Sequence, residues 1–310
     1  MRFARDLFAR EMATEYDTFQ GAAALYADVL GEKGLVEYRR LAAAAWEQLP
    51  PLRGGRKRQE AAADYERLVE ILDFFAERDG DVDARVALRT KDLSSAWKYL
   101  QLAEFCCAHG REDEALRRAE EGLWIFEDER PDERLVAFAA DLLTKIGRRE
   151  DAVAHLWRAF EKAPTLELYK RIRQLAGEDG RDRALKFFET RLGRGERTRW
   201  QYPADLLVSI LMHEKMFDQA WAVLREHRAS DGVKEKLAQA SEATHPREAL
   251  ETYAQRVDRL ANSGGNRAYA EAAALVARMA ALRDGTDQAA YVAALKARFG
   301  RKRNFMMLLP

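Results

Sequence analysis

Gly110-Arg-Glu-Asp-Glu-Ala115 and Gly147-Arg-Arg-Glu-Asp-Ala152 are one turn written twice. A glycine closes a helix, because the left-handed position just past a helix end costs it little. Acidic residues then open the next helix, where the positive end of the macrodipole favours them. The alanine that follows is small enough to let two helix backbones approach closely. The turn returns one residue shorter as Gly180-Arg-Asp-Arg-Ala184, and in degenerate form as Lys215-Met-Phe-Asp-Gln-Ala220. The closing alanines lie 37, 32 and 36 residues apart, and His245-Pro-Arg-Glu-Ala249 reads as a fifth copy at a shorter interval. A period of that size marks stacked helix-turn-helix units.

The pattern resembles the tetratricopeptide repeat, whose period is about 34 residues. Its clearest copy covers residues 131–164, with Gly147, Ala152, Ala159 and Pro164 at the small-residue and proline spacing of that repeat. The preceding copy supplies Tyr99, Leu102, Ala103 and Cys106 at the matching first-helix positions. Further out the unit is worn down. Residues 35–49 read as a second helix, with Tyr38, Ala45 and Pro50 in the same relative spacing. Tyr65, Leu68, Val69, Leu72 and Phe75 fall at helical intervals on a helix over about residues 57–78. Beyond Thr244 three more helices follow, broken at Asn262-Ser-Gly-Gly265 and Asp284-Gly285. The expectation is an all-α, tetratricopeptide-like helix-turn-helix solenoid of about sixteen helices with no sheet. Degenerate repeats would occupy residues 1–90, clear repeats 91–228, and C-terminal repeats with a cap 229–310, as one continuous solenoid.

Composition agrees with an all-α chain. Hydrophobic residues make up 47% and charged residues 34% of 310, with only 7 prolines and 18 glycines to interrupt helices. Lysine and arginine, 52 together, balance 52 acids. A dedicated nucleic-acid binder carries a basic excess, so the whole-chain charge argues against that role. The distribution is uneven: residues 112–133 hold ten acids and three bases, whereas Arg53-Gly-Gly-Arg-Lys-Arg58 is strongly basic. The two cysteines, Cys106 and Cys107, are adjacent, which excludes a disulfide framework and suits a reducing cytoplasm. The first residues lack the apolar stretch of a signal peptide, and no run approaches the roughly 20 apolar residues that span a bilayer. A cytoplasmic protein without membrane contact is expected.

Several stretches resemble one bacterial family. Tyr16-Asp-Thr-Phe-Gln-Gly21, Tyr26-Ala-Asp-Val-Leu-Gly31 with Leu35-Val-Glu-Tyr-Arg-Arg40, Asp92-Leu-Ser-Ser95 with Tyr99-Leu-Gln-Leu-Ala103, and Arg301-Lys-Arg-Asn-Phe-Met306 are similar to the helical region that follows the zinc finger in bacterial SWIM zinc-finger proteins. That family's Cys-x-Cys…Cys-x-His module has no counterpart here, so the resemblance carries over no metal ligand. It implies the helical half alone, either free-standing or with a truncated start, and a role in interaction more than in catalysis.

No catalytic or metal set is expected. Cys106, Cys107 and His109 do not make a zinc site: a structural site needs four ligands, the sequence holds no further cysteine, and Cys106 falls at a core position. His213-Glu214 begins like a zinc-protease helix, but Phe217 stands where the second histidine belongs. No phosphate loop or nucleophile elbow is present, and Leu192-Gly-Arg-Gly-Glu196 follows no strand. No cofactor is therefore expected. In such a stack the first helix of each hairpin lines an extended groove, and by register Arg134, Asp141, Lys170 and Gln174 should face it. The expected function is a non-enzymatic scaffold or adaptor that binds a polar partner segment there. The alternative is a nucleic-acid-associated accessory protein acting with a separate SWIM zinc-finger module. Its anion contacts would be Arg56, Lys57 and Arg58 with Arg301, Lys302 and Arg303, and a further basic run spans residues 191–199.

Overall fold

The protein is seen in a computed structural model that describes residues 1–13, 19–54, 62–193 and 204–310. It is all-α and groups into two compact units, Met1–Pro164 and Thr165–Pro310. The first holds α1 (Arg2–Ala13), α2 (Ala22–Leu25), α3 (Ala27–Gln48), α4 (Ala62–Arg78), α5 (Val82–Thr90), α6 (Ala96–Ala108), α7 (Glu112–Ile125), α8 (Glu133–Lys145) and α9 (Arg149–Lys162). The second holds α10 (Leu166–Gly193), α11 (Ala204–His213), α12 (Phe217–Glu226), α13 (Asp231–Ala240), α14 (Pro246–Ser263), α15 (Asn266–Met279), α16 (Gly285–Phe299) and α17 (Arg303–Met306). The described residues thus form seventeen α-helices, close to the sixteen expected. No helix among them is long and apolar enough to cross a membrane.

The repeated turn is built as its residues require. Gly110 and Gly147 sit in the left-handed region, at φ 73 and 82. The next residue then donates its N–H five residues back, Arg111 to the Cys106 carbonyl at 2.9 Å and Arg148 to that of Leu143 at 2.8 Å. Met216 does the same to Leu211 at 2.9 Å, with Lys215 in the glycine's place at φ 58. All five closing alanines, Ala115, Ala152, Ala184, Ala220 and Ala249, are fully buried. Tyr99, Leu102, Ala103 and Cys106 are buried in α6, and Leu135, Val136, Ala139 and Leu143 in α8.

Two expectations need correction. The break inside α10 lies at Gly177, not at Gly180. Gly180 is helical and packs on Ile172, where an added Cβ would come within 3.0 Å of the Ile172 side chain. There is also a minimal sheet. β1 (Leu52–Arg53) pairs in parallel with β2 (Asp92–Leu93), and the Leu52 N–H reaches the Lys91 carbonyl at 2.7 Å. Two loops that lie side by side satisfy each other's backbone groups there, a long-range pairing with no periodic signal.

Candidate functional site

Burying one side of α6 exposes the other. Ser95 starts the helix, its Oγ accepting the Lys98 N–H, and the buried stripe of Tyr99, Leu102, Ala103 and Cys106 leaves Trp97, Gln101 and Glu104 outward. Those three are spaced i, i+4 and i+7, one helical face. In α8 the Asp132 carboxylate caps the N-terminus by accepting the Arg134 N–H at 3.0 Å. The apolar stripe of α8 turns inward, so Arg134 and Asp141, two turns apart, face out.

Packing of α6 beside α8 brings Arg134 over Trp97, its Cζ 4.3 Å from the ring centroid. The tryptophan stays 40% exposed. A cation over an exposed indole contributes about 0.5–1 kcal/mol. The same guanidinium binds Asp132 through two nitrogens, at 3.1 and 2.7 Å. Those hydrogen bonds hold the Asp132 carboxyl below the usual aspartate range.

On the other flank of α6, a cleft of about 280 Å³ opens toward α4. Among the described residues, Glu66, Glu70, Asp73 and Asp92 line it against Arg89 and Lys98. Lys98 lies 3.8 Å from Glu66 and 3.5 Å from Asp92, and Glu70 accepts the Gln20 amide at 2.8 Å. Asp73 receives both Arg85 and Arg89, at 2.6 to 3.0 Å, and the Arg89 guanidinium rests 3.8 Å from the Phe105 ring centroid. Burial alone would raise the Asp73 carboxyl, but the two arginines outweigh it and hold it at about 2. Asp73 is therefore committed to the fold, whereas Glu66, Glu70 and Glu104 present exposed carboxylates along the face.

The expected partner-binding residues divide between the units. Arg134 and Asp141 share the α8 face of the first. Lys170 and Gln174 share one face of α10 in the second, where Lys170 pairs with Glu167 at 2.7 Å and Gln174 is exposed. Of the expected anion contacts, Arg56, Lys57 and Arg58 lie outside the described residues, as does most of the basic run 191–199; within that run Arg191 lies over Phe187. Arg301 and Arg303 are exposed, and Lys302 reaches the Asn262 carbonyl at 3.4 Å. They follow the C-terminus of α16, where cations complement the helix dipole, and the neighbouring Arg298 is already taken by Asp258.

Trp97 and the α4–α6 cleft are absent from the sequence reading. Trp97 gives no local signal, since an aromatic at the start of a helix normally counts toward the core. Its partner Arg134 is on the next hairpin. Cys106 is fully buried, which pushes its thiol up, and His109 stacks on Phe105 at 4.1 Å. Among the described residues no three His, Cys, Asp or Glu side chains are grouped to hold a metal. No protein-family model and no curated protein matches the chain, so the likeness to the SWIM-associated helical region rests on its own quoted stretches.

Proposed function

We propose that this chain is a non-enzymatic protein-interaction module whose α4–α6–α8 face takes up a polar partner segment rich in lysine or arginine. The observation that carries the reading is Trp97, exposed and stacked beneath Arg134 on α6, the helix whose other flank borders an acid-lined cleft. Tryptophan and arginine dominate binding energy at protein interfaces. The surrounding carboxylates favour a basic segment and disfavour an acidic one. Asp73 and Asp132 are held ionised by their arginines, which suits charge recognition better than proton transfer. The adjacent free cysteines Cys106 and Cys107 support a reducing, cytoplasmic setting.

A peptide library displayed on phage and selected against the full chain tests this. The expected winners are rich in Lys and Arg. Trp97→Ala should weaken the best of them about tenfold or more without moving the melting temperature. Winners of no particular charge, or affinity untouched by Trp97→Ala, would overturn it. The alternative, an accessory protein for nucleic acid working with a separate SWIM zinc-finger module, rests on Arg301 and Arg303, which have no partner among the described residues. Contact through so few cations should be weak and fall steeply with salt. Tight, sequence-dependent binding to duplex DNA at physiological salt would put that reading first.

A further inference from the structure

The second unit carries a groove unlike the face just described. The later part of α10 presents Leu185, Glu189 and Leu192, spaced i, i+4 and i+7. Helix α12 presents Gln219, Ala222, Val223 and Glu226, again one stripe. Between them Leu207 and Leu211 of α11 form the floor, 4% and 2% exposed. The groove is open to solvent and offers about 550 Å³. Leu185, Leu192, Ala222 and Val223 are only half-buried, so two apolar helix stripes flank the floor without covering each other.

The chemistry of the walls selects an occupant. Apart from Gln219, His227 and two carboxylates, the lining among the described residues is aliphatic. An extended peptide laid there would lose water from its backbone N–H and carbonyl groups and find few partners in return, at a cost for each unmet group. A helix satisfies its own backbone, and its side-chain ridges fit between the stripes of two other helices. Charge decides the polar face. Glu189 and Glu226 are exposed, and among the described residues neither has a partner and no lysine or arginine lines the groove. We infer that this groove between α10, α11 and α12 docks an amphipathic helix of a partner protein, with leucine-like residues inward and lysine or arginine toward Glu189 and Glu226. It belongs to a different unit from the α4–α6–α8 face.

Fluorescence anisotropy with the full chain tests it. The probes are a labelled leucine–lysine peptide of heptad pattern, its leucine–glutamate counterpart, and a scrambled leucine–lysine peptide without the helical period, all near physiological salt. The leucine–lysine helix should bind about tenfold or more tighter than either control. Glu189→Lys with Glu226→Lys, both on exposed side chains, should invert the preference toward the leucine–glutamate helix while the melting temperature holds. Equal binding of the scrambled peptide, or affinity indifferent to the double reversal, would overturn the inference. Loss on Glu104→Lys in place of the double reversal would also overturn it, moving the contact to the α4–α6–α8 face and leaving the proposed function intact.

Discussion

At Asp73 two arginines, one turn apart on α5, converge on a single carboxylate whose side chain is 17% exposed. Its folded value of about 2 lies below the ordinary aspartate range. The stabilisation is therefore complete above pH 4 and declines as the pH falls toward 2, and a shift of that size is worth roughly 2 kcal/mol. Asp73→Asn removes it and leaves Arg89 beside Phe105 without a carboxylate, while Arg85 keeps Glu77 at 3.0 Å, so a loss of about 2–4 kcal/mol is expected at pH 7. Urea melts of wild type and variant should converge as the pH approaches 2; a gap independent of pH would mean the ion pairs are not its source. Lys215 is the converse case, a β-carbon where the turn wants none. Lys215→Gly should raise stability by about 1 kcal/mol by removing left-handed strain. A lowered melting temperature would show that the lysine side chain contributes more than its backbone costs.

Between helices, closeness is set by the smallest residue at the crossing. Ala152 and Ala159 are 0% and 4% exposed in α9, which packs against α8. Filling the first site should overpack it: Ala152→Phe is expected to cost about 1–3 kcal/mol or more, read as a lower melting temperature. A melting temperature equal to wild type would sink the assigned register. Gly122 is tighter still, since a Cβ there would lie 2.7 Å from the Tyr99 side chain and 3.1 Å from Leu135. A second device recurs along the chain. The phenols of Tyr38, Tyr99, Tyr169 and Tyr253, all fully buried, donate to the carboxylates of Glu11, Glu121, Glu214 and Glu242. Each pairing satisfies a hydroxyl that burial would otherwise leave costly. Burial and the nearby Glu121 push the Tyr99 hydroxyl up to about 12.

For the molecule as a whole, the C-terminus shows how an open helical end is closed. Phe305 is fully buried, 5.5 Å from the Tyr269 ring and 6.0 Å from that of Phe299, and Leu309 is buried as well. The tail folds back as a cap, with Arg301 and Arg303 left in solvent. At about 25 cal/mol per Å² such burial contributes several kcal/mol. A chain shortened to end at Phe299 should melt at a lower temperature and aggregate; an unchanged melting temperature would mean the cap contributes nothing to the fold. What the sequence alone determined is the class of fold and most of its punctuation. Gly110, Gly147, the acids after them and the alanines at their close act within about six residues, so capping and periodicity are readable in a short window. The break in α10 shows the limit of that window, because Gly177 and Gly180 are both permissive and only packing on Ile172 decides between them. Only the tertiary structure decided which surfaces the packed helices leave uncovered. Arg134 meets Trp97 across 37 residues, and the stripes of α10 and α12 face one groove from opposite sides of α11. Such surfaces are defined by what the core leaves uncovered, and that depends on how whole helices pack.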